Sequence, residues 1–172
     1  PGAERVKFME GDARTLRLGR RFALVMLTGH AFQVFLTQED RRAALTTIAA
    51  HLAPGGRFIF DSREPACREW EEWGPDESRR RLEHPRFGAV QAWNDAAFDD
   101  ETGVVTYETH YEIEQTGQRL SAASRIAFPP KQELETLMAE AGLRVERLLG
   151  DCHGKARGPG WGQVSSAGQP AL

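Results

Sequence analysis

Thr37–Arg63 reads TQEDRRAALTTIAAHLAPGGRFIFDSR, and this stretch decides the fold. Thr37-Gln38-Glu39-Asp40 resembles a capping box, with Asp in place of the usual Glu or Gln. Leu45, Ile48, Ala49 and Leu52 follow at spacings of three and four, which predicts an amphipathic helix. Pro54-Gly55-Gly56 ends it, because Pro lacks a backbone donor and Gly accepts left-handed geometry. Arg57–Phe60 (RFIF) then reads as a strand closed by Asp61-Ser62-Arg63. On the other side of the helix, Phe22–Leu27 (FALVML) is a continuous apolar run that stops at Thr28-Gly29-His30. Its pattern is that of a strand buried on both faces. Strand, helix, strand in this order predicts a parallel α/β sheet.

Further outward, Arg5–Phe8 (RVKF) alternates and ends at Glu10-Gly11-Asp12-Ala13, which predicts one more strand and an acidic turn. Downstream, Glu64–Phe87 is charged and carries Trp70 and Trp73 at helical spacing. Three alternating strands are expected near 89–98, 104–114 and 119–127. In the middle one Val105, Tyr107, Tyr111 and Ile113 share a face, with Thr106, Glu108, His110 and Glu112 opposite. After Pro129-Pro130, Leu134, Leu137, Met138 and Ala141 predict a second helix with Gly142 at its C′ position. Leu143–Leu149 reads as a last strand. Residues 151–172, rich in Gly, Ser, Pro and Gln, are expected to be disordered. The expected units are therefore 1–63 (partial core), 64–128 (inserted lid), 129–150 (return to the core) and 151–172 (tail).

The 172 residues suit a single domain. A formal net charge of −3 lacks the basic excess of a nucleic-acid binder. Two cysteines, Cys67 and Cys152, make neither a disulfide framework nor a paired metal motif, and the five histidines show no ligand spacing. No apolar run is long enough to span a membrane. A cytoplasmic protein with no metal, nucleic-acid or membrane partner is the expectation.

The succession VKFMEGDARTL, FALVMLTGHAFQVF, the LAPGG helix end with its apolar strand, and ELETLMAEAGLRVERLLGD resembles the class I S-adenosylmethionine-dependent methyltransferases over roughly residues 5–151. The resemblance implies a Rossmann-like, mostly parallel sheet carrying an inserted antiparallel three-stranded meander. It implies S-adenosylmethionine as cofactor and methyl transfer to an N- or O-nucleophile of a small-molecule substrate. Gly11, Asp12 and Ala13 would meet the adenine; the alternative is that Asp12 only caps the turn after it. Thr28, Gly29, His30 and Phe32 would line the methionine end, Phe32 covering the sulfonium by a cation–π contact. His30 would be the catalytic base, although methyl transfer can run on proximity and orientation alone, and a loop-capping His is the competing reading. Arg63, Trp70, His110 and Arg125 would contact the substrate. Against that, Trp70 and Trp73 read more readily as packing anchors than as ligands, His110 as part of a solvated face, and Arg125 equally as a partner of Glu108 or Glu112.

One family feature has no counterpart between Pro1 and Gly11, the glycine-rich loop after the first strand. Gly158-Pro159-Gly160-Trp161-Gly162 fits its spacing but follows no strand. The family's final strand is not recognisable in 152–172. The sequence therefore reads as part of a longer methyltransferase or as a decayed frame, with weak or no cofactor binding by itself. A degenerate, non-catalytic domain acting in protein–protein contact, for which a homodimer is an expected assembly, is the alternative. A nicotinamide-dependent oxidoreductase is a third reading and would need the same glycine-rich loop.

Overall fold

The computed structural model describes residues 5–150 and the backbone of 163–168. Two four-stranded sheets carry the architecture. In the first, β1 (Phe22–Leu27) runs parallel to β2 (Leu52–Ser62), and the connection between them is a 3-10 turn, Ala31–Val34, followed by helix α1 (Gln38–His51). The helix begins as its sequence predicts: Thr37 is the N-cap, and its hydroxyl accepts from the Asp40 N–H at 3.0 Å. It ends at His51, three residues short of Pro54, because Leu52 already joins the sheet opposite Phe22.

β2 alternates. Phe58 and Phe60 face α1, stacked with centroids 4.9 Å apart, and join Phe32, Leu45, Ile48 and Leu52 in the main core. Side chains of this size contribute about 1.5–3 kcal/mol each when fully buried. β1 was expected to be buried on both faces and is not. Val25 and Leu27 pack on the core, whereas Leu24 and Met26 are 48% and 54% exposed. Among the described residues only one face of β1 is covered, and β2 is its only ladder partner.

The second sheet is antiparallel, in the order β3 (Arg80–His84), β4 (Gly88–Asp99), β5 (Val104–Ile113) and β6 (Arg119–Ala127). Between β2 and β3 lie a 3-10 segment, Glu69–Trp73, and a single helical turn α2, Pro75–Ser78. The three expected strands are present, and β3 adds a fourth at one edge. A second core forms on one face, where Trp70, Val105 and Phe128 are buried together.

Helix α3 (Lys131–Glu140) returns to the first sheet and packs on α1. The nearly buried Arg41 donates from Nε to Glu133 Oε1 at 2.8 Å and from Nη1 to the Phe35 carbonyl, which locks the two helices at one end. The helix stops in a Schellman arrangement: Gly142 takes φ +75°, its N–H donates to the Ala139 carbonyl, and the Leu143 N–H donates to Met138. β7 (Arg144–Leu149) follows as expected.

Two expectations are corrected here. The tail contains a strand, β8 (Gln163–Gly168), which lies antiparallel between β2 and β7. Its residues are too polar to announce a strand, and ladder bonds on both sides supply what local hydrophobicity does not. The rest of 151–172, including Gly158–Gly162, lies outside the described residues. Arg5–Phe8 does not form a strand; among the described residues its backbone has no neighbouring strand to pair with, and Phe8 is 92% exposed.

Candidate functional site

A cleft of about 390 Å³ opens between the carboxyl end of the β1–β2 pair and the inner face of the second sheet. Gly29, His30, Ala31 and Val34 line it from the turn after β1, and Arg63 from the end of β2. Trp73, Asn94, Tyr107 and Ile126 form the opposite wall. Ligands of open α/β sheets collect at this edge.

The turn is shaped by two consecutive left-handed residues, Gly29 at φ +69° and His30 at φ +59°. Only glycine adopts that conformation without strain, so a non-glycine residue there marks a position the surroundings enforce. The enforcing group is Asp61. Its Oδ2 accepts the His30 backbone N–H at 2.8 Å and lies 2.7 Å from His30 Nδ1. The carboxylate thus holds the backbone and lies beside the ring, whose buried Nδ1 makes no hydrogen bond among the described residues; Nε2 is the ring's other polar atom. Burial and the positive charge of Arg63 lower the pKa of His30, outweighing Asp61 and Glu69, which act to raise it. The ring is thereby biased towards its neutral form.

Arg63 is fixed from three sides. Its Nε donates to Glu69 Oε2 and its Nη1 to Gln33 Oε1, each at 3.0 Å, and the guanidinium lies 5.1 Å from the Trp73 ring centroid. Gln33 is fully buried and donates from Nε2 to the Ala127 carbonyl at 2.7 Å. This one side chain therefore joins the turn after β1, the end of β2 and strand β6. Nothing in the sequence singled it out, because a glutamine flanked by Phe32 and Val34 has no recognisable spacing.

The expected site residues separate into three groups. Gly29, His30 and Arg63 meet at the cleft, and Thr28 is exposed at its approach. Gly11, Asp12 and Ala13 lie in an exposed turn beside the start of α1: Arg14 bonds the Asp12 carboxylate and also reaches Asp40 at 2.6 Å. The Arg14 N–H donates to Asp12 Oδ1 at 2.8 Å, so the capping alternative describes the observed bonding. Hydrogen bonds from Arg14 pull the Asp12 pKa down to about 2 and keep the carboxylate ionised.

Phe32, Trp70, His110 and Arg125 are not on the cleft. Phe32 points into the core, 4.9 Å from Phe60 and 5.5 Å from Phe35, so Ala31 and Val34 present the turn's outer surface instead. Trp70 stacks on Phe98 at 4.2 Å in the second core, and Trp73 takes the wall position. His110 pairs in register with Trp93 and Ser121, and Arg125 with Thr106, on the face opposite Asn94 and Tyr107. There His110 Nε2 meets Asp95 Oδ2 at 2.7 Å, and Glu112 pairs with Arg119 rather than Arg125.

The residues at the cleft suit the methionine end of a cofactor. A Cβ placed on Gly29 would meet nothing within 4 Å, so the turn's backbone faces open space. Asp12, ionised and exposed, is an acceptor-only group suited to an amino N–H.

No protein-family model matches the chain. It is similar to the dTDP-3-amino-3,4,6-trideoxy-alpha-D-glucopyranose N,N-dimethyltransferase of Streptomyces venezuelae, with 28% identity over 158 residues, 85% of this chain and 60% of that protein. It is also similar to the cypemycin N-terminal methyltransferase of a Streptomyces species, 37% identical over 71 residues, 41% of this chain and 28% of that protein. A crystal structure of an S-adenosylmethionine-dependent methyltransferase from Clostridium acetobutylicum superposes with a TM-score of 0.74 at 15% identity, covering 93% of this chain and 63% of that one. The chain thus has the class I methyltransferase fold and spans 60% or less of the length of the curated relatives it matches.

Proposed function

We propose that the cleft is the methyl-transfer site of an S-adenosylmethionine-dependent N-methyltransferase acting on a small molecule, with this chain supplying the methionine-end turn and the acceptor wall. The observation that carries the reading is the meeting of Gly29, His30 and Arg63 with the inner face of the second sheet around one cavity. The named activities of the relatives, transfer to an amino-sugar nitrogen and to a peptide N-terminus, support nitrogen as the acceptor atom. Both are enzymes, so a non-catalytic contact domain is not favoured. Residues 64–128 act in this reading as the lid and substrate wall of a core made by 1–63 and 129–150.

When bound, S-adenosylmethionine supplies an electrophilic methyl group on a sulfonium, whose C–S bond breaks to leave a neutral thioether. The turn Thr28–Val34 would hold the methionine end, and Asp12 would accept from the adenine amino group. The acceptor amine must arrive neutral, with its lone pair free, and Arg63 disfavours an ammonium ion beside it. Once the new N–C bond forms, the nitrogen is cationic and sheds a proton. His30, its backbone held by Asp61 and its ring biased towards the neutral form, would take it at Nε2.

The test is a chemical-shift titration of the isotope-labelled chain with S-adenosylhomocysteine. Weak binding that shifts the amides of Gly29, His30 and Ala31, with smaller changes at Asp12 and Arg14, is expected. No change at millimolar ligand, or changes confined to the far face of the second sheet, would overturn the reading.

A further inference from the structure

Residues 10–20 form neither helix nor strand, and of these only Leu16 and Leu18 are even half-buried. Burial of apolar surface therefore does little to fix the segment that carries Asp12. What fixes it is a polar stripe on α1. Asp40, Thr47 and His51 stand at i, i+7 and i+11, along one side of the helix. Asp40 reaches a side chain, accepting from Arg14 Nη1 at 2.6 Å. Thr47 and His51 take hold of the backbone itself. The Thr47 hydroxyl donates to the Arg14 carbonyl at 2.6 Å and accepts from Arg17 Nη1 at 2.8 Å. The Leu18 N–H donates to His51 Nε2 at 2.9 Å.

Thr47 and His51 are only 5% and 7% exposed, so both bonds are sheltered from water. His51 Nδ1 lies 2.7 Å from the Thr47 carbonyl. A carbonyl only accepts and Nε2 already accepts from Leu18, so the ring carries its proton on Nδ1 and both nitrogens are occupied. Between the two anchors the turn is closed by its own bonds. The N–H groups of Thr15 and Leu16 both donate to the Asp12 carbonyl, at 3.0 and 2.8 Å. It is therefore a small unit of fixed shape, and its direction depends on where Arg14 and Leu18 are tied.

We infer that Thr47 and His51 are positioning residues of the adenine end of the site: by tying the backbone at Arg14 and Leu18 to α1, they aim the Asp12 turn at the ligand. The inference rests on the reading of Asp12 as the adenine contact and names what holds that contact in place. Neither side chain touches the ligand. Their effect is preorganisation, since a turn already ordered loses little freedom when the ligand arrives, whereas a loosened one must be ordered at the cost of affinity.

The experiment titrates the isotope-labelled chain and its Thr47→Val, Thr47→Ser and His51→Leu variants with S-adenosylhomocysteine. Thr47→Val and His51→Leu should each weaken binding about fivefold, the loss of one hydrogen bond. At saturation their amide shifts at Asp12 and Arg14 should shrink, while those at Gly29, His30 and Ala31 keep the size seen in the unsubstituted chain. Thr47→Ser retains the hydroxyl and should behave as the unsubstituted chain does. Val matches Thr in shape, so Thr47→Val carries the test if His51→Leu does not fold. Before any ligand is added, nitrogen shifts of the His51 ring should report the proton on Nδ1. Unchanged affinity and Asp12 shifts in the variants, no rescue by Thr47→Ser, equal loss at both ends of the ligand, or a proton on Nε2 would overturn the inference. So would a response at Gly29–Ala31 of the unsubstituted chain with none at Asp12 or Arg14, which leaves the methyl-transfer reading standing. No response anywhere in that chain overturns both.

Discussion

Gln33 Oε1 accepts from Arg63 Nη1 at 3.0 Å, across thirty positions of sequence, and the same buried amide donates to the Ala127 carbonyl. Through these two bonds the turn after β1 sets the position of the cleft's cation and holds β6 against it. The two walls of the cleft are in this way parts of one hydrogen-bonded unit.

Replacing Gln33 with Leu should strip a partner from Arg63 and leave the Ala127 carbonyl unsatisfied. A cost of about 2–4 kcal/mol is expected from two such losses. Urea unfolding followed by tryptophan fluorescence measures it. A loss under half a kcal/mol would show that water replaces the amide and that the strut is dispensable.

His30 should titrate below the ordinary imidazole value of 6.5 in the folded chain. Because Arg63 is one of the groups lowering it, Arg63→Gln should raise it, which NMR titration of the ring proton can read directly. The sign for stability follows from the lowered value. The unfolded state binds the proton more readily, so His30's contribution is complete above 6.5 and declines as pH falls from there towards the folded pKa. An unchanged His30 titration in Arg63→Gln would remove Arg63 from the electrostatics of the site.

Arg14→Ala should raise the Asp12 pKa from about 2 back towards its ordinary 3.8, since the hydrogen bonds from Arg14 are the largest cause of the lowering. Carbon-detected titration of the Asp12 carboxyl reads this. The same variant frees Asp12 from its local clasp, so the amide shifts around residue 12 on adding S-adenosylhomocysteine should grow rather than shrink. Smaller shifts would mean that Arg14 itself is the ligand contact.

Among the described residues, Leu24 and Met26 project from the uncovered face of an edge strand, the arrangement that promotes pairing with other chains. The chain should therefore self-associate as its concentration rises. Sedimentation velocity should show this, and the double substitution Leu24→Lys with Met26→Lys should suppress it while far-ultraviolet circular dichroism stays unchanged. A monomer at all concentrations in the unsubstituted chain would contradict the expectation.

Thr37→Ala removes the one side-chain cap of α1 and should cost about 1 kcal/mol, read as a lower urea midpoint at constant slope.

What could be read from the chain alone was whatever short-range chemistry decides. Thr37 and Asp40 mark the start of α1 because a cap needs only the next turn of backbone. Gly142 marks the end of α3 because a left-handed residue is required there whatever the rest of the molecule does. Alternation in Val104–Ile113 separated Tyr107 from His110 because neighbouring strand residues point to opposite faces.

Tertiary structure alone decided which of those faces meets the cleft, and so exchanged His110 and Arg125 for Tyr107 and Asn94. It sent Phe32 into the core and left Ala31 and Val34 outside, and it buried Trp70 while placing Trp73 on the wall. It also made a strand of Gln163–Gly168, whose composition argues against one, through ladders to β2 and β7. The physical reason is common to all of these. Periodicity fixes relations among near neighbours, but the side on which an element packs depends on partners up to a hundred residues away, whose contacts exist only once the chain has closed on itself.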